Sequence, residues 1–317
     1  MASIRSGLFA TVFAALLPFA AASAASVADK QITIILVDHG QPSDPFHNVI
    51  KHGAQDAAKQ MGVHLEIRQP DTFDMTQMAN LITAAANQHP DGLVTTVPDA
   101  DALSGPIHNA IAQGITVITT NGSPASGHKV GAVLNVGQDE TAAGVAAGKA
   151  MAAAGGKKAI CVNHEVGNVS LDQRCAGFGQ GFGGSVKVLP TDTDPSVTKS
   201  KIEAALRSDP SIDSIITLNA SLAGEPAVQA VSDLGRAGKV KVASFDLSPG
   251  MLKNVANGSA LFVVDQQPYL QGYLPVLFLA QHARYGLIPS GDVATGPNLI
   301  TKNDAAKVIE LTSQAIR

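Results

Sequence analysis

The chain has 317 residues, of which 45% are hydrophobic and 15% charged, and its formal net charge is −4. This composition is typical of a globular protein with a sizeable core and excludes a largely disordered chain. The slight negative charge offers no basic surface to a nucleic-acid partner. A chain of this length is expected to form one large or two medium-sized domains.

Residues 1–24 have the organisation of a secretory signal peptide. Arg5 supplies a small positive region, residues 8–17 are apolar, and Ala22-Ser23-Ala24 fits a cleavage site. The apolar stretch is short for a membrane span, so an N-terminal anchor is the less favoured alternative. We therefore expect cleavage near Ala24 and export of the mature chain to the periplasm.

Strands and helices are predicted to alternate through the rest of the chain. The first unit has a buried apolar strand (residues 32–37), a polar loop (38–43) and an amphipathic helix that starts at Ser43 or Asp44 and ends at Gly62. The further predicted strands are 63–67, 93–97, 115–119, 130–136, 158–162, 186–189, 214–218, 240–245, 261–264 and 297–300. The further predicted helices are 74–88, 101–113, 139–154, 171–182, 196–208, 223–237, 251–256, 268–285 and 303–316. Such alternation predicts parallel sheets covered on both faces.

The alternation is interrupted once, at residues 121–129. This stretch is rich in turn-forming residues and has no periodicity, which predicts a crossover between two lobes. The α/β series on either side are of similar size, which favours two lobes over one oversized sheet.

The two cysteines are Cys161, in a predicted strand, and Cys175, in the following helix. In an exported protein they form either one disulfide or two buried thiols. The sequence leaves both alternatives open, because it does not give the distance between their Cα atoms.

No catalytic or metal-binding motif stands out. The chain lacks the G-x-S-x-G, H-E-x-x-H and Walker A patterns. Residues 177–182 (GFGQGF) loosely match a nucleotide-binding fingerprint, but they fall within a predicted helix. His47 and His52 are five residues apart and do not share a helix face. We therefore expect no enzyme activity, no cofactor and no metal site.

Polar residues instead follow one predicted strand after another. They are Asn121, Gln138, Asp139, Asn219, Asp246 and Gln266. Each alone is an ordinary strand-ending or helix-capping residue. Together they would line a cleft rich in amide and carboxylate groups, which suits a neutral polyhydroxylated molecule. Phe46 and Phe245 would cover the C–H faces of such a ligand, and core packing is the alternative for both.

Six stretches of the sequence carry a family resemblance. They are Asp44-Pro45-Phe46, Val117-Ile118-Thr119-Thr120-Asn121, Arg174-Cys175-Ala176-Gly177-Phe178, Thr217-Leu218-Asn219, Ser244-Phe245-Asp246 and Asp265-Gln266-Gln267-Pro268. In their order and spacing, they resemble the type I periplasmic sugar-binding proteins of ABC importers, the ribose-binding-protein-like group. The resemblance covers nearly all of the mature chain.

This resemblance implies an α/β fold of two doubly wound parallel-sheet lobes, joined by three crossover segments with a ligand cleft between them. The N-terminal lobe would comprise residues 25–137 plus 267–296, and the C-terminal lobe residues 138–266 plus 297–317. The family's ligand positions fall on Asp44, Phe46, His47, Asn121, Gln138, Arg174, Asn219, Asp246 and Gln266. Arg174 would be the strongest single anchor.

The sequence departs from ribose-binding relatives at several of these positions. Asp44 stands where those relatives have Asn, His47 replaces a second aromatic residue, and Val97 replaces an amide. Asn121-Gly122 stands where Asp-Arg is common. These departures argue against ribose and favour a pentitol, a tetritol, another acyclic polyol or a different aldose.

The loop of residues 38–43 is longer than in those relatives, so we expect His39 and Gln41 to reach the cleft. The predicted function is capture of a sugar or polyol by hinge closure at the crossovers, including residues 121–129, and delivery to an ABC-transporter permease. We expect a monomer without a nucleic-acid partner. The alternative is a receptor that feeds a chemoreceptor or a sensor kinase. The signal peptide and the missing DNA-binding headpiece disfavour a repressor lobe.

Overall fold

The side chains of β1 (Thr33–Val37) alternate between two hydrophobic cores. Ile34 and Leu36 pack with residues from one pair of covering helices, while Ile35 and Val37 pack with residues from another pair. The strand is therefore buried on both faces, as its continuous apolar sequence predicts. The computed structural model describes residues 31–317, so the predicted signal peptide lies outside the described residues.

The first sheet has the strand order β11-β5-β4-β3-β1-β2, and all of its neighbouring strands are parallel. Its further strands are β2 (His64–Arg68), β3 (Gly92–Thr96), β4 (Thr116–Thr120), β5 (Leu134–Gln138) and β11 (Val293–Gly296). Its helices are α1 (Pro45–Met61), α2 (Met75–Ala86), α3 (Ala100–Ala112), α4 (Pro124–Lys129) and α10 (Pro268–Tyr285). Helix α1 begins at the Asp44 cap and ends at Gly62, whose φ is +62°, as the sequence predicts.

The second sheet repeats this plan with the order β12-β10-β9-β8-β6-β7. Its strands are β6 (Lys158–Asn163), β7 (Ser185–Pro190), β8 (Ser214–Thr217), β9 (Lys241–Phe245), β10 (Phe262–Asp265) and β12 (Asn298–Thr301), the last antiparallel to β10. Its helices are α5 (Glu140–Ala153), α6 (Val169–Phe182), α7 (Pro195–Ser208), α8 (Glu225–Asp233), α9 (Pro249–Asn257) and α11 (Lys302–Ser313). A π-helical turn, Ala220–Gly224, precedes α8.

The predicted crossover at residues 121–129 is wrong. This stretch holds the short helix α4, which connects β4 to its neighbour β5 in the same sheet. Ser123 caps α4 and Pro124 occupies its first turn, so the turn-forming residues are helix-start signals. The following strand is β5, which starts at Leu134 and not at residue 130.

The chain passes between the two sheets at three places: between β5 and α5, between β10 and α10, and between β11 and β12. Helix α10 packs against α1 of the first sheet, while α11 packs against α9 of the second. The described chain from Ile32 onward forms one compact unit in which both sheets take part. None of the described helices has the length and apolar character needed to span a membrane.

Cys161 on β6 and Cys175 on α6 form a disulfide, with Cα atoms 5.8 Å apart. Of the two alternatives that the sequence leaves open, the structure has the bonded one. The bond ties together the strand and the helix on either side of one loop, residues 164–168. That loop lines the cavity described below.

Four glycines allow α5 and α6 to pack with their backbones nearly in contact. A Cβ atom at Gly144 or Gly148 would lie 2.3 Å from a carbonyl oxygen of α6. One at Gly177 or Gly181 would lie 2.2 Å from a carbonyl oxygen of α5. The glycine-rich residues 177–182 therefore serve helix packing, which explains a pattern that loosely matched a nucleotide-binding fingerprint.

We predict that Gly177→Ala destabilises the protein by about 1–3 kcal/mol, because the added methyl group overpacks the α5–α6 contact. Gly179→Ala, in the same helix, is the matched control, since its Cβ would have no atom within 4 Å. Replacing this helical glycine should leave stability unchanged or raise it by up to about 1 kcal/mol. Urea unfolding of both variants measures the difference. Equal midpoints would contradict the packing role of Gly177.

Candidate functional site

Polar side chains from the carboxyl ends of strands in both sheets meet around one small cavity. Such edges of parallel sheets are where ligands bind in doubly wound folds. The lining residues are Asp44, Phe46, His47, Asn121, His164, Glu165, Asn168, Ser170, Leu171, Arg174, Leu218, Asn219, Asp246 and Gln266. The structure thus brings together eight of the thirteen residues singled out from the sequence, and Asp139 is instead the exposed cap of α5.

Asn121 and Asp246 occupy corresponding positions, directly after β4 in the first sheet and β9 in the second. Both have left-handed backbone conformations, with φ of +49° and +66°. Asn and Asp tolerate this region better than other residues with a Cβ atom, but it remains a sparsely populated one. Both conformations turn the chain sharply at the cavity, and such outliers cluster at functional sites.

A buried ion pair joins Arg174 of α6 to Glu140 at the start of α5. The guanidinium Nε and Nη2 donate to the two carboxylate oxygens over 2.6 and 3.1 Å. Its central carbon lies 4.9 Å from the ring centroid of Phe245. Burial alone would lower the pKa of Arg174, but Glu140 raises it, so the side chain stays charged.

Amide side chains extend this pair into a network. The Gln138 amide donates to Glu140 over 2.9 Å, and the Gln266 amide donates to Asp246 over 2.6 Å. The Gln266 oxygen accepts a bond of 3.3 Å from the Asn121 amide and lies 3.5 Å from Arg174 Nη2. Gln138 and Gln266 stand where the chain passes between the sheets, so the network links the site to those passages.

Several contacts close the cavity between the two sheets. Asn219 caps the turn after β8 through its oxygen, and its side chain also hydrogen-bonds Asp44, the cap of α1. The Val169 backbone donates to the Pro98 carbonyl over 2.9 Å. Gln41 lies at the rim, where its amide donates to Thr193 over 3.4 Å. These contacts join residues of the two sheets on either side of the cavity. Gln41 takes part in one of them but does not line the cavity.

His47 and Asp38 form a second buried ion pair, with His47 Nδ1 2.8 Å and 3.0 Å from the two carboxylate oxygens. Burial would lower the pKa of His47, but Asp38, with smaller contributions from Asp44 and Glu165, raises it to about 9. His47 is therefore protonated at neutral pH. Burial would raise the pKa of Asp38, but His47 holds it below its usual value.

His39 packs edge-on against His47 and remains uncharged. Burial, together with the positive charge of His47, lowers the pKa of His39 to about 3. Its Nδ1 shares a hydrogen bond of 2.8 Å with Thr96 Oγ1, and its Nε2 lies 3.8 Å from Glu165. His39 thus supports the wall of the cavity from behind.

Asp38, His39 and His47 have donor atoms within 4.8 Å of one another, a spacing at which a metal ion could be held. Hydrogen bonds within the group already account for this arrangement, because His47 carries a proton and bonds Asp38, while His39 bonds Thr96. A metal ion would have to displace that proton. We therefore interpret the group as a hydrogen-bonded support for the cavity.

Three carboxyl groups at the cavity have raised pKa values, mainly because burial disfavours their charged form. They are Asp44, Glu165 and Asp246, and the pKa of Asp246 is raised to about 7. Among the described residues, no Lys or Arg nitrogen lies within 4.0 Å of any of them. None of the three therefore forms a direct ion pair with a described Lys or Arg, although the charges of His47 and Arg174 partly offset the rise in their pKa values.

Sequence reasoning missed the loop between β6 and α6. His164, Glu165 and Asn168 of this loop line the cavity with Ser170 in the first turn of α6, and all are buried. His164 Nδ1 and Ser170 Oγ have no hydrogen-bond partner, and neither has Gln138 Oε1 nearby. The loop directly follows β6, just as the predicted site residues directly follow other strands. That position in the sequence was the signal that could have identified the loop.

Two further candidates from the sequence lie behind the cavity. Phe245 is fully buried in the core of the second sheet, and the Arg174 guanidinium lies over the face of its ring. Gln138 contacts Glu140 and not the cavity itself. A wider groove lies between α7, α8 and α9 on the outside of the second sheet, but no buried polar side chains converge on it.

Two α/β sheets of the same strand order, with a polar cavity between them, define a two-lobed binding protein. The model of the periplasmic binding protein domain family matches residues 26–287, and the chain belongs to this family. The predicted resemblance to type I periplasmic sugar-binding proteins and the predicted fold class are confirmed.

Individual relatives agree with this assignment. A solved carbohydrate transporter from Acidothermus cellulolyticus 11B, in complex with myo-inositol, is 35% identical in sequence and has a TM-score of 0.85. The match covers 90% of this chain and 100% of the transporter chain. The xylose/arabinose-binding protein XylF of Sulfolobus acidocaldarius is 25% identical over 86% of this chain and 71% of that protein. The D-allose-binding periplasmic protein of Escherichia coli K12 is 28% identical over 71% and 76%, respectively.

The Asp38–His47 pair predicts a pH-dependent stability. The pKa of His47 is raised, so its contribution is complete below its unfolded value of about 6.5 and is lost as the pH rises through about 9. Asp38→Asn should lower the free energy of unfolding by about 3–5 kcal/mol at pH 6.5 and by clearly less at pH 9.5.

The matched control is Asp56→Asn, which alters an Asp 3.8 Å from the half-exposed His52. It should cost at most about 1 kcal/mol at either pH. Denaturant unfolding at the two pH values measures both variants. If Asp38→Asn lowers the free energy of unfolding equally at both pH values, Asp38 does not raise the pKa of His47.

Proposed function

We propose that this chain is a periplasmic solute-binding protein that captures one small polyhydroxylated molecule, a sugar or a polyol, between its two lobes. One observation carries the proposal: buried polar atoms without partners face a closed cavity that is lined by amides, carboxyls and an arginine. Buried polar atoms are normally hydrogen-bonded, so these atoms are the ones that a ligand would satisfy. Hydroxyl groups both donate and accept, which suits this mixed lining.

The lining of the cavity supports a small polyhydroxylated ligand. Phe46 supplies one aromatic surface, and the protonated His47 stands where a second would be. A polyol, cyclic or acyclic, or an aldose other than ribose fits this pocket. The relative from Acidothermus, which holds myo-inositol, supports inositols as members of that class.

Binding would act through closure of the lobes. The proposed lobes are residues 25–137 plus 267–296 and residues 138–266 plus 297–317. Asp44 and Asn121 lie on one side of the cavity, and Arg174 and Asn219 on the other, so a ligand that contacts both sides stabilises the closed form. The hinge would lie at the three passages between the sheets, and not at residues 121–129 as the sequence suggested.

Export and delivery complete the proposal. Residues 1–24 would act as a cleaved signal peptide, and the closed, monomeric protein would dock on the membrane permease of an ABC transporter. Membership of the periplasmic binding protein domain family supports both steps. The proposed role needs no chemistry on the ligand.

A thermal-shift panel of pentoses, hexoses, alditols and inositols with residues 25–317 tests the function. A ligand that binds the folded protein only adds about 2.7 kcal/mol of stability at a hundredfold excess over its dissociation constant. We expect at least one polyol or aldose to raise the melting temperature, and ribose to raise it less. A panel without any stabilising compound would contradict the proposal.

Arg174→Lys should weaken binding of the best compound at least tenfold, about 1.4 kcal/mol. Lysine keeps the positive charge but cannot replace the two-pronged contact with Glu140. Arg207→Lys is the control, because Arg207 is exposed and pairs with Glu203 outside the cavity. Calorimetry with both variants gives the comparison. Equal dissociation constants would remove Arg174 from the binding site.

A further inference from the structure

The cavity has more acidic than basic groups. Its two cations are already engaged, Arg174 by Glu140 over 2.6 Å and His47 by Asp38 over 2.8 Å. Asp44, Glu165 and Asp246 remain, and they are 6%, 8% and 4% exposed. Removal from water disfavours the charged form of a carboxyl group. Burial therefore raises the pKa of each of these three groups.

The three carboxyls are electrostatic neighbours. Burial is the main cause of the raised pKa values of Glu165 and Asp246, and Asp44 raises both further. Asp246 accepts a bond of 2.6 Å from Gln266, and Arg174 offsets part of the rise in pKa that burial causes. Glu165 accepts a bond of 2.9 Å from Asn168. Its closest ring nitrogen belongs to His39, which is uncharged.

Unsatisfied acceptors lie on the same wall as Glu165. His164 is 5% exposed, and burial next to Arg174 and His47 lowers its pKa to about 3, so it is neutral. His164 Nδ1 has no partner, and it accepts a hydrogen bond when the ring proton is on Nε2. Ser170 Oγ, also 5% exposed, has none either. Together with Glu165, these atoms form a group of acceptors from one short stretch of chain.

We infer that the ligand carries an ammonium group, and that Glu165 receives it with help from His164 and Ser170. The ligand class would then be an amine-bearing polyol or amino sugar. This inference rests on the proposed function and narrows it. An ammonium group has three N–H donors, which matches the three acceptors of this wall. Its charge compensates the buried carboxylates, and charge-assisted bonds are the stronger ones.

Calorimetry with pairs of compounds that differ in one group tests the inference on wild-type protein. Suitable pairs are D-glucitol and 1-amino-1-deoxy-D-glucitol, D-glucose and D-glucosamine, and myo-inositol and an aminodeoxyinositol. In the best-binding pair, we expect the amine to bind at least tenfold more tightly than the hydroxyl compound. N-acetylation of the amine, which removes the charge, should abolish this preference.

Glu165→Gln should reduce the preference for the amine by about tenfold or more, whereas the affinity for the hydroxyl compound should fall less. Glu66→Gln is the control, because it removes the same charge from β2, where Glu66 pairs with Arg68 outside the cavity. The wild-type comparison does not depend on how the variant folds. Equal or tighter binding of the hydroxyl compound in every pair would overturn the inference and leave the proposed function intact. Binding of no compound of either kind would overturn both.

Discussion

The geometry of the site depends on the buried ion pair between Glu140 and Arg174. Glu140 is fully buried and Arg174 is 4% exposed, so each charge relies on the other to offset its loss of water. The pair fixes the first turn of α5 beside the second turn of α6 at the cavity. The close approach that Gly144 and Gly177 allow, and the disulfide between Cys161 and Cys175, hold the same two helices and the strand behind them. Helix packing thereby sets the position of the strongest hydrogen-bond donor in the cavity.

The same pair connects the binding site to the passages between the sheets. Glu140 follows the first passage directly, and Gln266 stands at the second, within 3.5 Å of Arg174. A ligand that engages Arg174 therefore touches a network whose other members lie where the chain would bend. In the proposed closure, a ligand would make contacts in the closed form that it lacks in the open one, which closure requires. Amides, which both donate and accept hydrogen bonds, occupy the first two of the three passages.

The sequence predicted the fold well because strong periodicity and termination signals mark its elements. The 18-residue helix α10 has the predicted bounds, 268–285. The short helix α4 was missed because six residues are too few to show an amphipathic period. The edge strand β11 has four residues and no apolar run, and only its pairing with β5 defines it. Elements of this kind are fixed by tertiary contacts more than by local pattern.

The candidate site was predictable where polar residues follow strands, as at Asn121, Asn219 and Asp246. Glu140 and Glu165 escaped notice, because Glu side chains are rarely buried unless they are paired. Their burial results from the packing of α5 on α6 and from the contact of the β6–α6 loop with the first sheet. That His164 is neutral while His47 is protonated could not be predicted from the sequence, since the burial and neighbours that set their pKa values come from the tertiary structure.

Small-angle X-ray scattering of the mature protein, with and without its best-binding polyol or amino sugar, tests the central claim most directly. The account holds that one ligand bridges both lobes and stabilises their closed arrangement. It predicts that saturating ligand lowers the radius of gyration and that the scattering of the bound form matches the structure described above. A radius of gyration that stays the same while calorimetry reports full occupancy would contradict closure on the ligand.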